Sequence, residues 1–269
     1  MKLYQVDAFA DVLFAGNPAA VCPVTEWPAP ELMQQIAAEN NLSETAFIAG
    51  HDGQYRLRWF TPTVEVDLCG HATLAAAYIV FNYLEPTLSR VSFATSSGPL
   101  HVQRGQDCLM MDFPVAKVES CAAPERLLAG LGLASAEVYL GADYMVVLEH
   151  ERQVRDLRPD FRLLAELDRR GVIVTAPGAD SDFVSRFFAP QIGIDEDPVT
   201  GSAHCALTPY WAGRLGRQAL TGRQLSERGG EVRCQLVTKA DGQQRVYLSG
   251  NCVTYMVADL ILGDGPYDE

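Results

Sequence analysis

The sequence lacks the signals of several protein classes. Its seven cysteines and five histidines show no CxxC or HxxxH spacing, which argues against a structural metal. No glycine-rich loop follows a strand-like segment, so a nucleotide cofactor has no visible binding loop. No apolar run approaches the roughly 20 residues that a membrane-spanning helix needs. We therefore expect a protein without a metal, a cofactor or a membrane span.

Charge and cysteine usage narrow the class further. The formal net charge of −13 opposes binding to nucleic acid and to anionic membrane surfaces. An odd number of cysteines without paired spacing is typical of free thiols in a reducing compartment. Asp7 and Asp11 interrupt the only apolar stretch near the N-terminus, so we expect no targeting segment. These features predict a cytoplasmic protein.

One segment of the first half recurs in the second half. YRLRWFTPTVEVD at residues 55–67 reappears as FVSRFFAPQIGID at residues 183–195, with Arg58 corresponding to Arg186 and Pro62 to Pro190. A long repeat that occurs only twice indicates a duplicated domain, because a solenoid needs at least three units. We predict domains at residues 1–117 and 118–269, and the last residues are free to pack back on the first domain.

The repeated segments lead into stretches rich in small residues. Residues 72–81 are apolar on nearly every side and carry no charge, so a helix there must be enclosed by other elements. Strand-like segments flank this helix in the sequence, and the second copy follows the same order. The pattern predicts an α+β fold in which a curled, mostly antiparallel sheet surrounds a central helix in each copy.

The two enclosed helices begin at Gly70-His71 and at Gly201-Ser202. Such glycine-rich starts leave backbone N–H groups open, and helix N-termini attract anions. The alternative is that these glycines only permit close packing. If the open N–H groups bind a ligand, we expect a small anion to bind between the two helix starts.

Acidic residues that occur in only one copy are candidates for chemistry. Asp195 matches Asp67 and is interpreted as structural, whereas Glu196 and Asp197 have no acidic counterpart at the repeat offset. Asp197 is either a helix cap or a catalytic group. Since Thr200 lies closer to the helix and can cap it, we expect Asp197 to be free for chemistry.

Three more candidates lie in the first copy. Glu44 lies at the start of an apolar strand. At about the same place the second copy has only aliphatic residues, VIV at 172–174. Glu44 is either a solvated glutamate or a half-buried acid/base with a raised pKa. His71 either moves a proton or is a buried structural histidine. Cys69 is a weak candidate for a reactive thiol, because no cysteine precedes the second helix and Cys205 lies a turn inside it.

Five motifs are distributed along the chain: DAF at residues 7–9, GNPAAV at 16–21, NLSETAF at 41–47, CGHAT at 69–73 and DPVTGSA at 197–203. Together they resemble the phenazine-biosynthesis isomerase-like family, which shares the diaminopimelate epimerase fold. The resemblance covers essentially the whole chain.

This resemblance implies two barrel-like domains, each wrapped around a central helix, with a cofactor-free active site between them. The glutamate matching Glu44 is the family's acid/base, and the residues matching Asp197 and His71 position the substrate and move its proton. The remaining expected substrate-binding residues are Asn17, Ser43, Gly70, Thr200, Gly201 and Ser202. The epimerase relatives use two cysteines, and this chain matches only the first, at Cys69.

We therefore predict a cofactor-independent isomerase acting on a small carboxylate-bearing metabolite, and we expect a homodimer. Glu44 would remove a proton from carbon and return it elsewhere on the substrate. Two alternatives remain open at this point: a racemase or epimerase that depends on Cys69, and a non-catalytic protein that only binds a metabolite.

Overall fold

A computed structural model describes residues 1–262 of the chain. Contacts divide it into unit one, Met1–Asp112 together with the chain from Ser249 onward, and unit two, Phe113–Leu248. The last seven residues of the predicted second domain lie outside the described part. None of the described helices is long and apolar enough to cross a membrane.

Unit one alternates strands with two helices. Its elements in chain order are β1 (Lys2–Ala8), β2 (Asn17–Val24), α1 (Pro30–Asn40), β3 (Glu44–His51), β4 (Gln54–Phe60), β5 (Glu65–Val66), α2 (Gly70–Ile79), a π-helical turn (Val80–Leu84), β6 (Arg90–Thr95), β7 (Gly98–Arg104) and β8 (Leu109–Pro114). Pro30 opens α1, and Asn41 ends it in a left-handed conformation with φ 48°.

The sheet of unit one surrounds α2. β2 and β3 pair in parallel, β3 and β4 antiparallel, β4 and β6 in parallel, and β6 and β7 antiparallel. From His71 to Ala77 every residue of α2 is buried, and the helix contacts β1, β2 and β3. The prediction of an enclosed central helix is confirmed, with its start at Gly70 and a π-helical turn after Ile79.

Unit two repeats this plan with more helices. Its elements are β9 (Glu119–Ser120), α3 (Glu125–Leu131), β10 (Glu137–Leu140), β11 (Tyr144–Val147), α4 (Glu151–Asp156), α5 (Phe161–Ala165), β12 (Val172–Pro177), β13 (Phe183–Phe188), a 3-10 turn (Pro190–Ile192), α6 (Gly201–Leu215), β14 (Ala219–Gln224), β15 (Gly230–Thr238) and β16 (Gln244–Gly250). β11 and β12 pair in parallel, β12 and β13 antiparallel, β13 and β14 in parallel, and β14 and β15 antiparallel. The strands β2, β3, β4, β6 and β7 of unit one pair in the same sequence of directions. The duplicated α+β fold is confirmed.

The last described strand, β17 (Cys252–Asp259), pairs with β1 from Lys2↔Asp259 to Ala8↔Cys252. Its backbone hydrogen bonds therefore assign it to unit one. The predicted second domain, residues 118–269, included this strand and allowed for such a return. The contact division at Asp112 and Phe113 lies a few residues before the boundary at 117 that the repeat suggested.

Strand registers show where the two copies correspond. Trp59 pairs with Val66 in unit one, and the N–H of Asp197 donates to Phe187 O at 3.0 Å in unit two. Since Trp59 corresponds to Phe187, Asp197 corresponds to Val66. The connection after β13 is three residues longer than the one after β4 and contains the 3-10 turn. Corresponding residues of the two copies therefore differ in number by 128 up to the end of β13 and by 131 at the start of the second buried helix.

Candidate active site

The first group of predicted site residues lies in unit one, at the start of β3. Glu44 is the first residue of that strand, and its side chain is only 12% exposed. Because β2 and β3 run parallel, the start of β2 lies beside it, and Ala19 is its register partner. This pairing brings the buried Asn17 at the start of β2 into the same region.

His71 joins this group from the first turn of α2. Its Nε2 lies 3.1 Å from Glu44 Oε2, and its Nδ1 lies 3.1 Å from the side-chain nitrogen of Asn17. The side-chain amide of Asn17 thus lies beside one ring nitrogen and the Glu44 carboxylate beside the other. The three residues form one buried polar group in which the imidazole lies between an amide and a carboxylate.

The pKa of His71 reflects this partner. Burial lowers it, but the sulfur of Cys69 and the carboxylate of Glu44 act in the opposite direction, and the pKa lies well above the ordinary value of 6.5. Cys69 itself is buried, which raises the pKa of its thiol to about 11. Because that thiol is neutral near pH 7, the Glu44 carboxylate is the charge that sustains the raised pKa of His71.

Cys69 lies on the other side of the ring, with its Sγ 3.5 Å from His71 Nδ1. Burial that keeps a thiol protonated also makes it a poor nucleophile and a poor base near neutral pH. In unit two, Cys205 is likewise buried inside α6, and burial raises the pKa of its thiol. The geometry therefore does not favour the two-thiol alternative.

Glu44, Cys69 and His71 also present one potential metal ligand each, within 4.8 Å of one another. However, the carboxylate approaches Nε2 and the thiol approaches Nδ1, so the imidazole ring lies between them. One imidazole nitrogen binds one ion, and the Asn17 amide already lies 3.1 Å from Nδ1. We assign no metal to this group, whose arrangement suits proton transfer along the ring better.

The second group lies in unit two, where Thr200 immediately precedes α6. The Thr200 hydroxyl donates to the Asp197 carboxylate, and the Thr200 N–H donates to Gln224 Oε1 at 2.9 Å. Thr200 makes no side-chain capping bond. The expectation that Thr200 caps the helix and leaves Asp197 free was therefore wrong, because the hydroxyl is directed to Asp197 instead.

The longer connection also corrects how the acids correspond. Glu196 corresponds to Glu65, and each of them pairs with the arginine of the preceding strand, Arg186 and Arg58 respectively. Glu196 is thus a framework residue, although the constant offset suggested that it had no acidic counterpart. Asp197 corresponds to Val66 and remains an acid found in one copy only.

Strand registers correct the counterpart of Glu44 as well. Thr45 pairs with Phe60 and Val172 pairs with Phe188, so Thr45 corresponds to Val172. The residue before it, Glu44, therefore corresponds to Gly171 and not to the aliphatic run at 172–174. Ser43 corresponds to Arg170, a residue that the sequence analysis did not select.

Arg170 is the main addition that the structure makes to the candidate site. Its Nη2 donates to Ser202 Oγ at 3.1 Å, next to Gly201 at the start of α6. Its Nε and Nη2 also bind both oxygens of the buried Asp143. Aligning the two copies strand by strand would have found this arginine, because it replaces a predicted binding serine.

The structure thus brings the predicted residues together in two groups. Unit one holds Asn17, Glu44 and His71, with Ser43 and Gly70 adjacent to them in the chain. Unit two holds Asp197 and Thr200, followed by Gly201 and Ser202 at the start of α6. Two expectations join residues of different units: that Glu44 faces Asp197, and that an anion binds both helix starts. These stay predictions.

Comparisons with known proteins agree with this architecture. Residues 6–258 match the family model described as phenazine biosynthesis-like protein. The chain is 52% identical to an uncharacterized isomerase of Pseudomonas aeruginosa over 97% of this chain and 99% of that protein. The crystal structure of a phenazine biosynthesis protein of the PhzF family from Enterococcus faecalis is similar, with a TM-score of 0.92, 45% identity, and 97% and 99% coverage.

The fold extends to more distant proteins. A probable proline racemase from Agrobacterium radiobacter has a TM-score of 0.65 at 12% identity, covering 99% of this chain and 94% of that one. This likeness shows a shared fold. The chain belongs to the phenazine biosynthesis-like family and is an enzyme of the isomerase class.

Proposed function

We propose that this enzyme is a cofactor-independent isomerase that moves a proton between two carbons of a small carboxylate-bearing metabolite. The observation that carries the proposal is the nearly buried Glu44 carboxylate, 3.1 Å from the Nε2 of His71. A carboxylate in this setting has few other roles, because burying an unused charge is costly. Burial and neighbouring polar groups are the means by which enzymes tune a carboxylate for general acid/base work.

In the proposed reaction, Glu44 takes a proton from carbon, so that a C–H bond breaks and an O–H bond forms on the carboxyl group. The electron pair stays on the substrate and is delocalised toward its carboxylate or unsaturated group. Glu44 then returns the same proton to a different carbon. The reaction is balanced without an oxidant or a reductant.

His71 assists by holding its Nε2 3.1 Å from the Glu44 carboxylate. The positive charge of the protonated ring attracts the carboxylate and stabilises it before proton removal. Asn17 fixes the ring through Nδ1 and thereby acts as a positioning residue. In unit two, we assign Asp197, Thr200 and Ser202 to substrate binding and orientation.

The thiol alternative is less well supported, since the Cys69 thiol has a pKa of about 11 and stays protonated at neutral pH. A purely binding protein would not need a carboxylate and an imidazole 3.1 Å apart in its interior.

The test is deuterium incorporation from D₂O into a panel of small unsaturated carboxylates, measured by mass spectrometry. For a compound that the wild-type enzyme exchanges, Glu44→Gln should reduce the rate by about 10²–10⁴-fold, the usual contribution of a general base. Glu39→Gln, an exposed change on the preceding helix α1, is the matched control and should exchange at the wild-type rate. Wild-type exchange in Glu44→Gln would refute the proposal.

A further inference from the structure

Arg170 is the residue from which a further inference follows. It lies immediately before β12, and its side chain is 43% exposed while its partner Asp143 is 5% exposed. Nε lies 3.1 Å from one Asp143 oxygen and Nη2 lies 2.6 Å from the other. A buried carboxylate therefore holds an accessible guanidinium group in one orientation.

The backbone beside Arg170 makes room for this arrangement. The guanidinium carbon lies 5.4 Å from the centre of the Phe187 ring. A Cβ on the next residue, Gly171, would lie 2.4 Å from that ring, so only glycine allows the ring to sit there. The aromatic face and the buried acid together fix the arginine.

The duplication adds an independent argument. Where unit one has Ser43, Glu44 and His71, unit two has Arg170, Gly171 and Ser202 at the corresponding positions. At the same place in the fold, one copy thus carries a buried acid beside a histidine and the other carries an accessible cation beside a serine. The copies have diverged in charge where the first copy has its proton-transfer group.

We propose that Arg170, together with the Ser202 hydroxyl, binds a carboxylate group of the substrate and so determines its charge class. This inference rests on the proposed function and assigns it an anchoring residue. Asp143 occupies the edge formed by Nε and Nη2, whereas Nη1 makes no hydrogen bond to residues 1–262. Ser202 accepts from Arg170, which leaves its own hydroxyl proton to donate to a ligand oxygen.

The local charge favours a monoanion over a phosphate dianion. Asp143 pairs directly with Arg170, and Asp197 also acts on it electrostatically. Both acids disfavour a second negative charge on the ligand. The net charge of −13 repels anions at long range, so an anionic substrate requires a fixed cation where it binds.

Equilibrium binding of benzoate and of benzamide, two probes of the same shape and different charge, tests this inference. The Nε–H resonance of Arg170 is followed by ¹H–¹⁵N NMR during each titration. It is assigned by its loss in Arg170→Lys. Benzoate should give a saturable shift, and benzamide should bind more weakly by about tenfold or more, since a charged hydrogen bond is lost.

Two variants separate binding from folding. Arg170→Lys keeps a cation beside Asp143 but loses the planar fork. The double variant Asp143→Asn/Arg170→Gln removes both charges, so that no buried carboxylate is left unpaired. Each should weaken benzoate binding by about 10- to 100-fold, read from ligand-observed NMR. Arg169→Gln, which removes the neighbouring positive charge, should bind benzoate like the wild type.

Wild-type benzoate affinity in the folded double variant, equal affinity for benzamide, or no saturable benzoate shift would each overturn the inference. Failure of the proposed function is seen separately, because Glu44→Gln is judged by deuterium exchange and Arg170 by equilibrium binding. Loss of benzoate binding in the Arg170 variants supports the anchor even if exchange does not depend on Glu44.

Discussion

At the scale of single residues, the Glu44–His71 pair determines how the site responds to pH. Glu44 raises the pKa of His71, while burial alone would lower it. In the Glu44→Gln variant we therefore expect the pKa of His71 to fall below that of the wild type. Titration of the His71 ring carbons by ¹H–¹³C NMR checks this. An unchanged pKa would show that Glu44 is not the charge that acts on the ring.

The same pair contributes to stability with a defined sign. The folded pKa of His71 lies above the unfolded value of about 6.5, so the folded state binds the proton more tightly. This stabilisation is complete below pH 6.5 and is lost as the pH rises through the folded pKa. Glu44→Gln should remove this part of the pH dependence.

Cys69 leads to a prediction about reactivity. Because burial and Glu44 raise the pKa of its thiol to about 11, alkylation by iodoacetamide at pH 7.5 should be slow at this position. Cys108 and Cys121 are less buried and serve as internal references in a mass-spectrometric time course. The alkylated protein should keep most of its activity. Rapid modification of Cys69, prevented by substrate and accompanied by inactivation, would instead support a catalytic thiol.

At the scale of elements, the two copies share an arginine–glutamate pair that joins a strand to the segment before the buried helix. In unit two, Arg186 is 10% exposed and also donates to Val154 O and Leu157 O at the end of α4. In unit one, Arg58 is 27% exposed and Glu65 is 43% exposed. The buried copy should therefore matter more for stability.

Paired substitutions test this difference. Arg186→Leu leaves Glu196 and two carbonyls without their partner and should lower the unfolding free energy by about 3–5 kcal/mol. Arg58→Leu breaks a more solvated pair and should cost about 1 kcal/mol or less. Urea denaturation of both variants provides the comparison. Equal losses would mean that burial does not control the strength of this repeated pair.

Element patterns also explain what the sequence could predict. The uncharged run at 72–81 must be enclosed, so the burial of α2 followed from composition, while the sheet around it followed from the strand-like segments on either side. The correspondence of Glu196 with Glu65 did not follow, because the longer connection after β13 changes the offset. Arg170 was missed for a similar reason. The strand registers show that Arg170 occupies the position in unit two that Ser43 occupies in unit one. The sequence repeat begins only at residue 55, so it could not reveal this correspondence.

At the scale of the whole molecule, His204 is expected to limit stability in acid. It is fully buried in α6, and burial lowers its pKa to about 4. The unfolded chain binds this proton with a pKa of about 6.5, so the unfolded state takes up more protons between these values. Stability should therefore fall as the pH drops from 6.5 to 4. Each pH unit costs about 1.4 kcal/mol, for a total of about 3 kcal/mol.

The duplication suggests the matching variant. His204 Nδ1 donates to Thr200 O at 2.8 Å, and the Thr73 hydroxyl makes the corresponding bond to Cys69 O in unit one. His204→Thr keeps this bond without a titrating group, although the smaller side chain packs less well against Phe183. We expect lower stability at pH 7 but a flatter decline toward pH 4, measured by urea denaturation at several pH values. The test compares the slope of the unfolding free energy against pH, and the packing loss lowers that free energy equally at every pH. A slope equal to that of the wild type would assign the acid sensitivity of this molecule to other groups.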